Sequence, residues 1–279
     1  MLGNSTDFKI DPRAHIGRVA LKVADLARSE AFYTDVLGFT ALTRSDGRLS
    51  LGVAGRPLLE LEDQPGAVPK PRRSTGLFHF AILVPSRVAL GRSLIQMAEK
   101  GYPLHGASDH LVSEALYLDD PDGNGIEIYR DRPRDQWKFE GGQVAMASDP
   151  VDLQALVREA GDEGFRGLDE ETTIGHVHLQ VRDLAEGEAF YCGVLGFEVM
   201  ARWPGALFVA AGGYHHHIGL NTGAGVGAPP PPENAAGLNF FEIALPDQAA
   251  VDAMVERVGM AAGVVKDPSG NGIKLVVAA

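Results

Sequence analysis

The stretch IGRVALKVADLARSEAFYTDVLGF, residues 16–39, aligns without a gap to IGHVHLQVRDLAEGEAFYCGVLGF, residues 174–197. A repeat of this kind constrains the fold more than any single residue, because both copies must build the same local structure. A second pair of matches follows: GLFHFAILVP (76–85) with GLNFFEIALP (237–246), and DPDGNGIEIY (120–129) with DPSGNGIKLV (267–276). The chain therefore reads as four modules, 1 resembling 3 and 2 resembling 4. Each opens with an alternating strand. In modules 1 and 3, Asp25-Leu26 and Asp183-Leu184 then begin an amphipathic helix closed by Leu-Gly-Phe, where glycine suits the position after a helix. Shorter strand-like runs follow, such as LSLGVAGRPLLELE and GALFVAAGGYHHHIGLN.

The expected organisation is modules 1 and 2 over residues 1–130, a connecting segment over 131–173, and modules 3 and 4 over 174–279. GAVPKPRRSTG and GAPPPPENAAG fall at equivalent points and read as semi-extended linkers. The connecting segment is expected to hold a helix capped by Asp149, with Pro150 in its first turn.

A formal charge of −12 argues against a nucleic-acid or anionic-membrane surface and favours a small organic ligand. No apolar run approaches the roughly 18–20 residues that span a bilayer, and MLGNSTDFKIDPR has no apolar leader region, so a soluble cytoplasmic protein is expected. The single cysteine, Cys192, forms no internal disulfide and reads as packing at a helix end rather than as a nucleophile. No P-loop, dinucleotide fingerprint or Ser-His-Asp motif is present; GAGVG lies in a Pro-rich linker.

The GHVHLxVxDL…AFYxxVLGF opening and the DPDGNGIEIY close resemble the vicinal oxygen chelate superfamily of glyoxalases, bleomycin resistance proteins and extradiol dioxygenases. SDHLVSEALYLDDPDGNGIEIYRDRP with GGYHHHIGLNT is similar to its two-domain, catechol 2,3-dioxygenase-like members. The resemblance implies an α+β fold of four βαβββ modules curled into two half-barrel cups. It places metal ligands at His79, His176 and Glu127; two imidazoles and a carboxylate with an open face suit non-haem Fe(II), with Mn(II) as the alternative. A lone strand histidine is more often structural, but here three ligand types fall at three family positions, whereas the other two modules carry Arg18, Phe240 and Lys274 there. One metal can gather His79 and Glu127 from module 2 and His176 from module 3 only if modules 2 and 3 pair, leaving 1 and 4 around a silent cup.

Alternation along the strand aims His178 into the same cavity as His176. The resemblance gives His216, projecting opposite His215 and His217, the part of an acid–base histidine, against the reading of an exposed polar patch. It gives Tyr117 a hydrogen bond to substrate, although a core tyrosine with its hydroxyl at the rim fits equally. His110 is a further pocket candidate and His105 a weaker one; Phe78, Phe80 and Trp203 are candidate apolar walls. Glyoxalases of this scaffold complete a fourth ligand with a carboxylate where module 3 has Gly219. The implied activity is Fe(II)-dependent extradiol cleavage of a catechol-type diol by dioxygen, with a homo-oligomer left open. A glyoxalase-like isomerase or lyase and a non-catalytic sequestering protein are the alternatives. In the silent cup, Glu60 is expected to bridge Arg18, Lys274 or both, with Phe240 filling the remaining volume.

Overall fold

The computed structural model describes residues 8–259 and 263–278; the stretch read for a leader begins in residues 1–7, outside the described residues. Module 1 comprises β1 (His15–Val23), α1 (Leu26–Ala31), β2 (Thr40–Ser45), β3 (Arg48–Val53) and β4 (Arg56–Asp63). Module 2 comprises β5 (Gly76–Leu83), α2 (Arg87–Glu99), β6 (Gly106–Asp109), β7 (Ser113–Asp119) and β8 (Gly125–Asp131). A small hairpin, β9 (Phe139–Glu140) and β10 (Gln143–Val144), and α3 (Leu153–Ala160) make the connection. Module 3 follows with β11 (Thr173–Gln180), α4 (Leu184–Glu188), β12 (Glu198–Trp203), β13 (Ala206–Ala210) and β14 (Ile218–Asn221). Module 4 has β15 (Gly237–Leu245), α5 (Gln248–Val258), β16 (Val264–Lys266) and β17 (Gly272–Val277). Among the described residues module 4 thus has two strands after its helix, where the other modules have three.

The helices start where the sequence places short polar caps. The side chains of Asp25, Ser86, Asp183 and Asp247 each accept from the backbone N–H three residues on, satisfying an otherwise orphaned donor. In modules 1 and 3 the helix widens into a π-helical turn, Phe32–Val36 and Ala189–Val194, and ends at Gly38 and Gly196 with φ of 81° and 82°. The cap of α3 is Asp152, not Asp149. Asp149 is instead held extended by paired backbone bonds to Asp109, of 2.8 and 2.9 Å, so the helix cannot begin there.

Strand order settles how the modules pair. One sheet runs β16-β17-β15-β1-β4-β3-β2, from modules 1 and 4; the other runs β12-β13-β14-β11-β5-β8-β7-β6, from modules 2 and 3. Each centres on an antiparallel pair, β1 with β15 and β5 with β11, flanked on both sides by parallel neighbours. The nested arrangement expected from the ligand distribution is the one found.

The two sheets are buttoned together by the repeat's most recognisable letters. Tyr33 of module 1 donates to Asp120 Oδ2 of module 2 at 2.9 Å, and Tyr191 of module 3 donates to Asp267 Oδ2 of module 4 at 3.0 Å. Each aspartate also accepts backbone N–H groups of its own DPxGNG turn. AFY and DPxGNG are therefore structural motifs that join one sheet to the other. Between the sheets Leu21, Phe80, Ile82, Leu179 and Phe241 are buried, each such side chain stabilising the fold by about 1.5–3 kcal/mol. No helix among the described residues is long and apolar enough to cross a membrane.

Candidate metal centre

His79, Glu127 and His176 come from three neighbouring strands. The β5–β11 register sets His176 opposite Ala81, and the parallel β5–β8 register sets Ala81 beside Glu127, so the three side chains converge on one face of the curled sheet. Glu127 Oε2 lies 3.0 Å from His79 Nε2 and 3.1 Å from His176 Nε2. All three residues are buried. Burial pushes His176 down to about 4, keeping it neutral. Burial also acts to raise Glu127, but the His176 and His79 rings beside it hold its carboxyl well below the usual range.

This arrangement fits a divalent metal on structural grounds. Metal–ligand bonds of about 2.1 Å set at right angles separate neighbouring donor atoms by about 3.0 Å. His79 Nε2 is buried beside the carboxylate without the alignment of a hydrogen bond. A buried nitrogen with no partner, facing an ionised carboxylate and a neutral imidazole, is a donor set without its acceptor.

Two of the three, His79 and Glu127, open onto a cavity of about 800 Å³ lined also by Phe78, Tyr117, His110, His178, Trp203 and His216 among others. Phe80 is not among them: it lies on the opposite face of β5, fully buried in the core, as strand alternation requires. His110 Nε2 and the Tyr117 hydroxyl are 2.7 Å apart, and His110 Nδ1 meets the Ala147 carbonyl at 2.6 Å. Burial and then the Glu127 charge raise the Tyr117 hydroxyl well above its usual range. His105 is at the rim, half exposed, 3.5 Å from Asp119. Cys192 lies away from the cavity, its thiol pushed up by burial to about 12.

His178 enters the cavity as expected, and Gly219 explains how. The two are register partners in the β11–β14 pair, and a Cβ on Gly219 would stand 2.9 Å from the His178 ring. The imidazole thus occupies the space beside the position where a fourth carboxylate ligand would be carried. His178 Nε2 is buried without a hydrogen-bond partner. His216 packs on His176, ring centroids 4.1 Å apart, and burial holds it well below the usual histidine range. Its predicted opposition to His215 is not observed. Residues 214–217 form a loop between β13 and β14, strand alternation does not apply, and His215 Nδ1 lies 2.8 Å from His216 Nδ1. His215 meets Asp131, 2.8 Å from His215 Nε2, a pairing across 84 residues that carries no motif in the sequence.

In the other sheet, Arg18 stands where His176 does. Its Nη2 is 2.6 Å from Glu242 Oε1, and its Nη1 is 3.5 Å from Glu60 Oε2. Lys274 Nζ is 4.0 Å from Glu242 Oε1 and 5.4 Å from the Phe240 ring centroid. Glu60 does touch Arg18, but the central anion is Glu242. That residue aligns with Ala81, not with a ligand position, so comparing ligand positions passes over it.

The sequence model of the Glyoxalase/Bleomycin resistance protein/Dioxygenase superfamily matches residues 15–128 and 173–275, and the chain belongs to this superfamily. Over 249 residues, 88% of this chain and 87% of the relative, it is 51% identical to a Bacillus subtilis (strain 168) protein named catechol-2,3-dioxygenase. A virulence protein of Salmonella typhimurium is 30% identical over 120 residues, 40% of this chain and 81% of that protein. Among solved structures, glyoxalase I from Zea mays superposes with a TM-score of 0.57 at 17% identity, over 95% of this chain and 92% of that one, a likeness of fold.

Proposed function

We propose that the protein is an Fe(II)-dependent extradiol dioxygenase that opens the ring of a catechol-type diol beside its hydroxylated carbons. The observation that carries this reading is the convergence of His79, Glu127 and His176, within 3.1 Å of a shared carboxylate oxygen, beside an open cavity that His79 and Glu127 line. The 51% identity to a protein named catechol-2,3-dioxygenase supports the same chemistry. Bound there, Fe(II) would supply a Lewis acid with adjacent open positions for a diol and dioxygen.

The chain's own residues supply the rest. His216, neutral and facing the cavity, accepts a proton from a diol hydroxyl. Tyr117 and His110, already joined by a hydrogen bond, present a coupled donor–acceptor pair to a substrate oxygen. Phe78 and Trp203, both partly exposed on the cavity wall, offer apolar surface to the ring and displace water from it. The isomerase reading would need a fourth carboxylate in the place of Gly219, where the His178 ring leaves no room for a side chain.

Metal analysis of anaerobically purified protein, followed by oxygen uptake with a panel of catechols, tests the proposal. Stoichiometric iron and a yellow ring-cleavage product are the expected outcome. Metal-loaded protein that consumes no oxygen with any catechol overturns it. His216→Ala should keep the metal and slow turnover by roughly 10²–10⁴-fold.

A further inference from the structure

We propose that Asp131 and His215 fix the tautomer of His216, holding a proton on its Nδ1 and leaving its Nε2 as the free base facing the cavity. The inference rests on the reading of His216 as the proton acceptor, and it explains how that acceptor is kept in a usable form.

The argument is a count of donors and acceptors along one chain of contacts. Asp131 is the last residue of β8 and meets His215 Nε2 with Oδ1 at 2.8 Å, while its Oδ2 accepts from the Tyr214 hydroxyl at 2.9 Å. A carboxylate offers acceptors only, so His215 Nε2 must carry its proton. In a neutral imidazole the other nitrogen is then an acceptor. His215 Nδ1 faces His216 Nδ1 at 2.8 Å, a separation that needs one proton between the two nitrogens. With none left on His215 Nδ1, the proton belongs to His216 Nδ1, and His216 Nε2 keeps its lone pair. The inverse arrangement would require His215 to carry two protons.

The surroundings hold this chain still. His215 is wholly buried, with the Trp137 ring edge-on at 5.2 Å and the Tyr129 ring at 6.1 Å. The Tyr129 hydroxyl lies 2.7 Å from that of Tyr214 and closes the network from the far side. Glu127, Tyr129 and Asp131 fall at every second position of β8, so one face of one strand carries a candidate metal ligand and two anchors of the network, Asp131 against His215 and Tyr129 against Tyr214. The equivalent strand in the other sheet has Lys274, Val276 and Ala278 at these positions, and neither anchor survives beside Arg18. Asp131 and His215 touch neither metal nor substrate; they are positioning residues.

Nitrogen-15 spectra of histidine-labelled, Zn(II)-loaded full-length protein test the proposal, with His216→Ala used to assign the His216 signals. The expected wild-type signature is a protonated Nδ1 and an unprotonated Nε2. In His215→Phe, which keeps a ring and removes both nitrogens, His216 should move to the Nε2-protonated form or to a mixture. Asp131→Leu removes the anchor from the other end and should do the same, should His215→Phe fold poorly. The iron enzyme should show kcat lowered by about 10²-fold in either variant, with KM changed less than about threefold. A wild-type His216 protonated on Nε2, or His216 signals unaltered in both variants, overturns the inference. Full turnover by His216→Ala would instead remove the base reading while leaving the tautomer assignment to stand on its spectra.

Discussion

His176 and Arg18 occupy the same position of the same repeated strand, in sheets of the same central order, yet their surroundings have diverged completely. Around His176 lie a carboxylate and imidazoles with unmatched nitrogens. Around Arg18 lie two carboxylates that it contacts itself, with the Lys274 ammonium 4.0 Å from one of them, Glu242. The β11–β14 pair sets His178 beside Gly219, while the equivalent β1–β4 pair sets Ala20 beside Glu60. Each cup has room for one long side chain at that point, but the two place it on opposite strands. The same fold thus accommodates a histidine beside a glycine in one cup and a glutamate beside an alanine in the other.

The sharpest way to break this contrast is at the last strand of each cup. Glu127→Ala should take metal content from one ion per chain to nearly none, because two neutral imidazoles are left facing a dication. Lys274→Ala should leave it unchanged. Metal retained by the first variant, or lost from the second, would erase the proposed difference between the cups.

Acid should separate them next. His176 and His217 are held by burial at about 4 and about 3, below the roughly 6.5 of an unfolded histidine. The unfolded chain then binds more protons than the folded one between those values, so metal-free protein loses stability as pH falls from about 6.5 toward 4. Each such imidazole contributes a loss of about 1.4 kcal/mol per pH unit within the window. The charged cluster around Arg18 contains no histidine. Urea midpoints of chelator-treated protein at about pH 7.5 and about pH 5.5 measure the effect, and equal midpoints would refute it.

Within the Arg18 cup, Arg18→Ala leaves Glu242 buried beside only the distant Lys274. The breaking of a buried pair costs about 3–5 kcal/mol, and the partial exposure of Arg18 reduces this to about 2–3 kcal/mol. Glu60→Gln should cost less than about 1 kcal/mol, since Arg18 keeps Glu242. Denaturation of both variants ranks the two carboxylates; a larger effect at Glu60 would restore it as the central anion.

The smallest effect concerns the paired positions. Gly219→Ala forces a Cβ against the His178 ring and should cost about 1–2 kcal/mol, a loss that largely vanishes in a His178→Ala background. Additive losses in that double-mutant cycle would mean that the two sites are independent.

What could be read from the sequence follows from what repeats. The helix starts at Asp25 and Asp183, the glycines that end those helices, the convergence of His79, Glu127 and His176, and the nested pairing all lie in segments present twice, where one copy interprets the other. The misses lie where no second copy speaks or where the two copies carry different chemistry. His215 sits in a loop that a period of two cannot describe. Asp131 falls at a strand end whose counterpart is Ala278. Glu242 was hidden because its counterpart, Ala81, carries no chemistry. Asp149 and Asp152 are equally good caps by composition, and only the long-range pairing of Asp149 with Asp109 decides between them.

The nested order of the sheets also dictates a schedule for synthesis. Modules 2 and 3 are consecutive along the chain, so β5 and β11 can zip together soon after the second leaves the ribosome. Of the strands described, β1 emerges earliest and waits longest, since Ile16 must find Ile243 in module 4. Throughout that interval β1 presents an unpaired edge and an apolar face, the kind of surface that chaperones cover and that seeds aggregation when they do not. The Arg18 cup is thus the later-assembling half of the two, and its ion pairs close only when module 4 arrives.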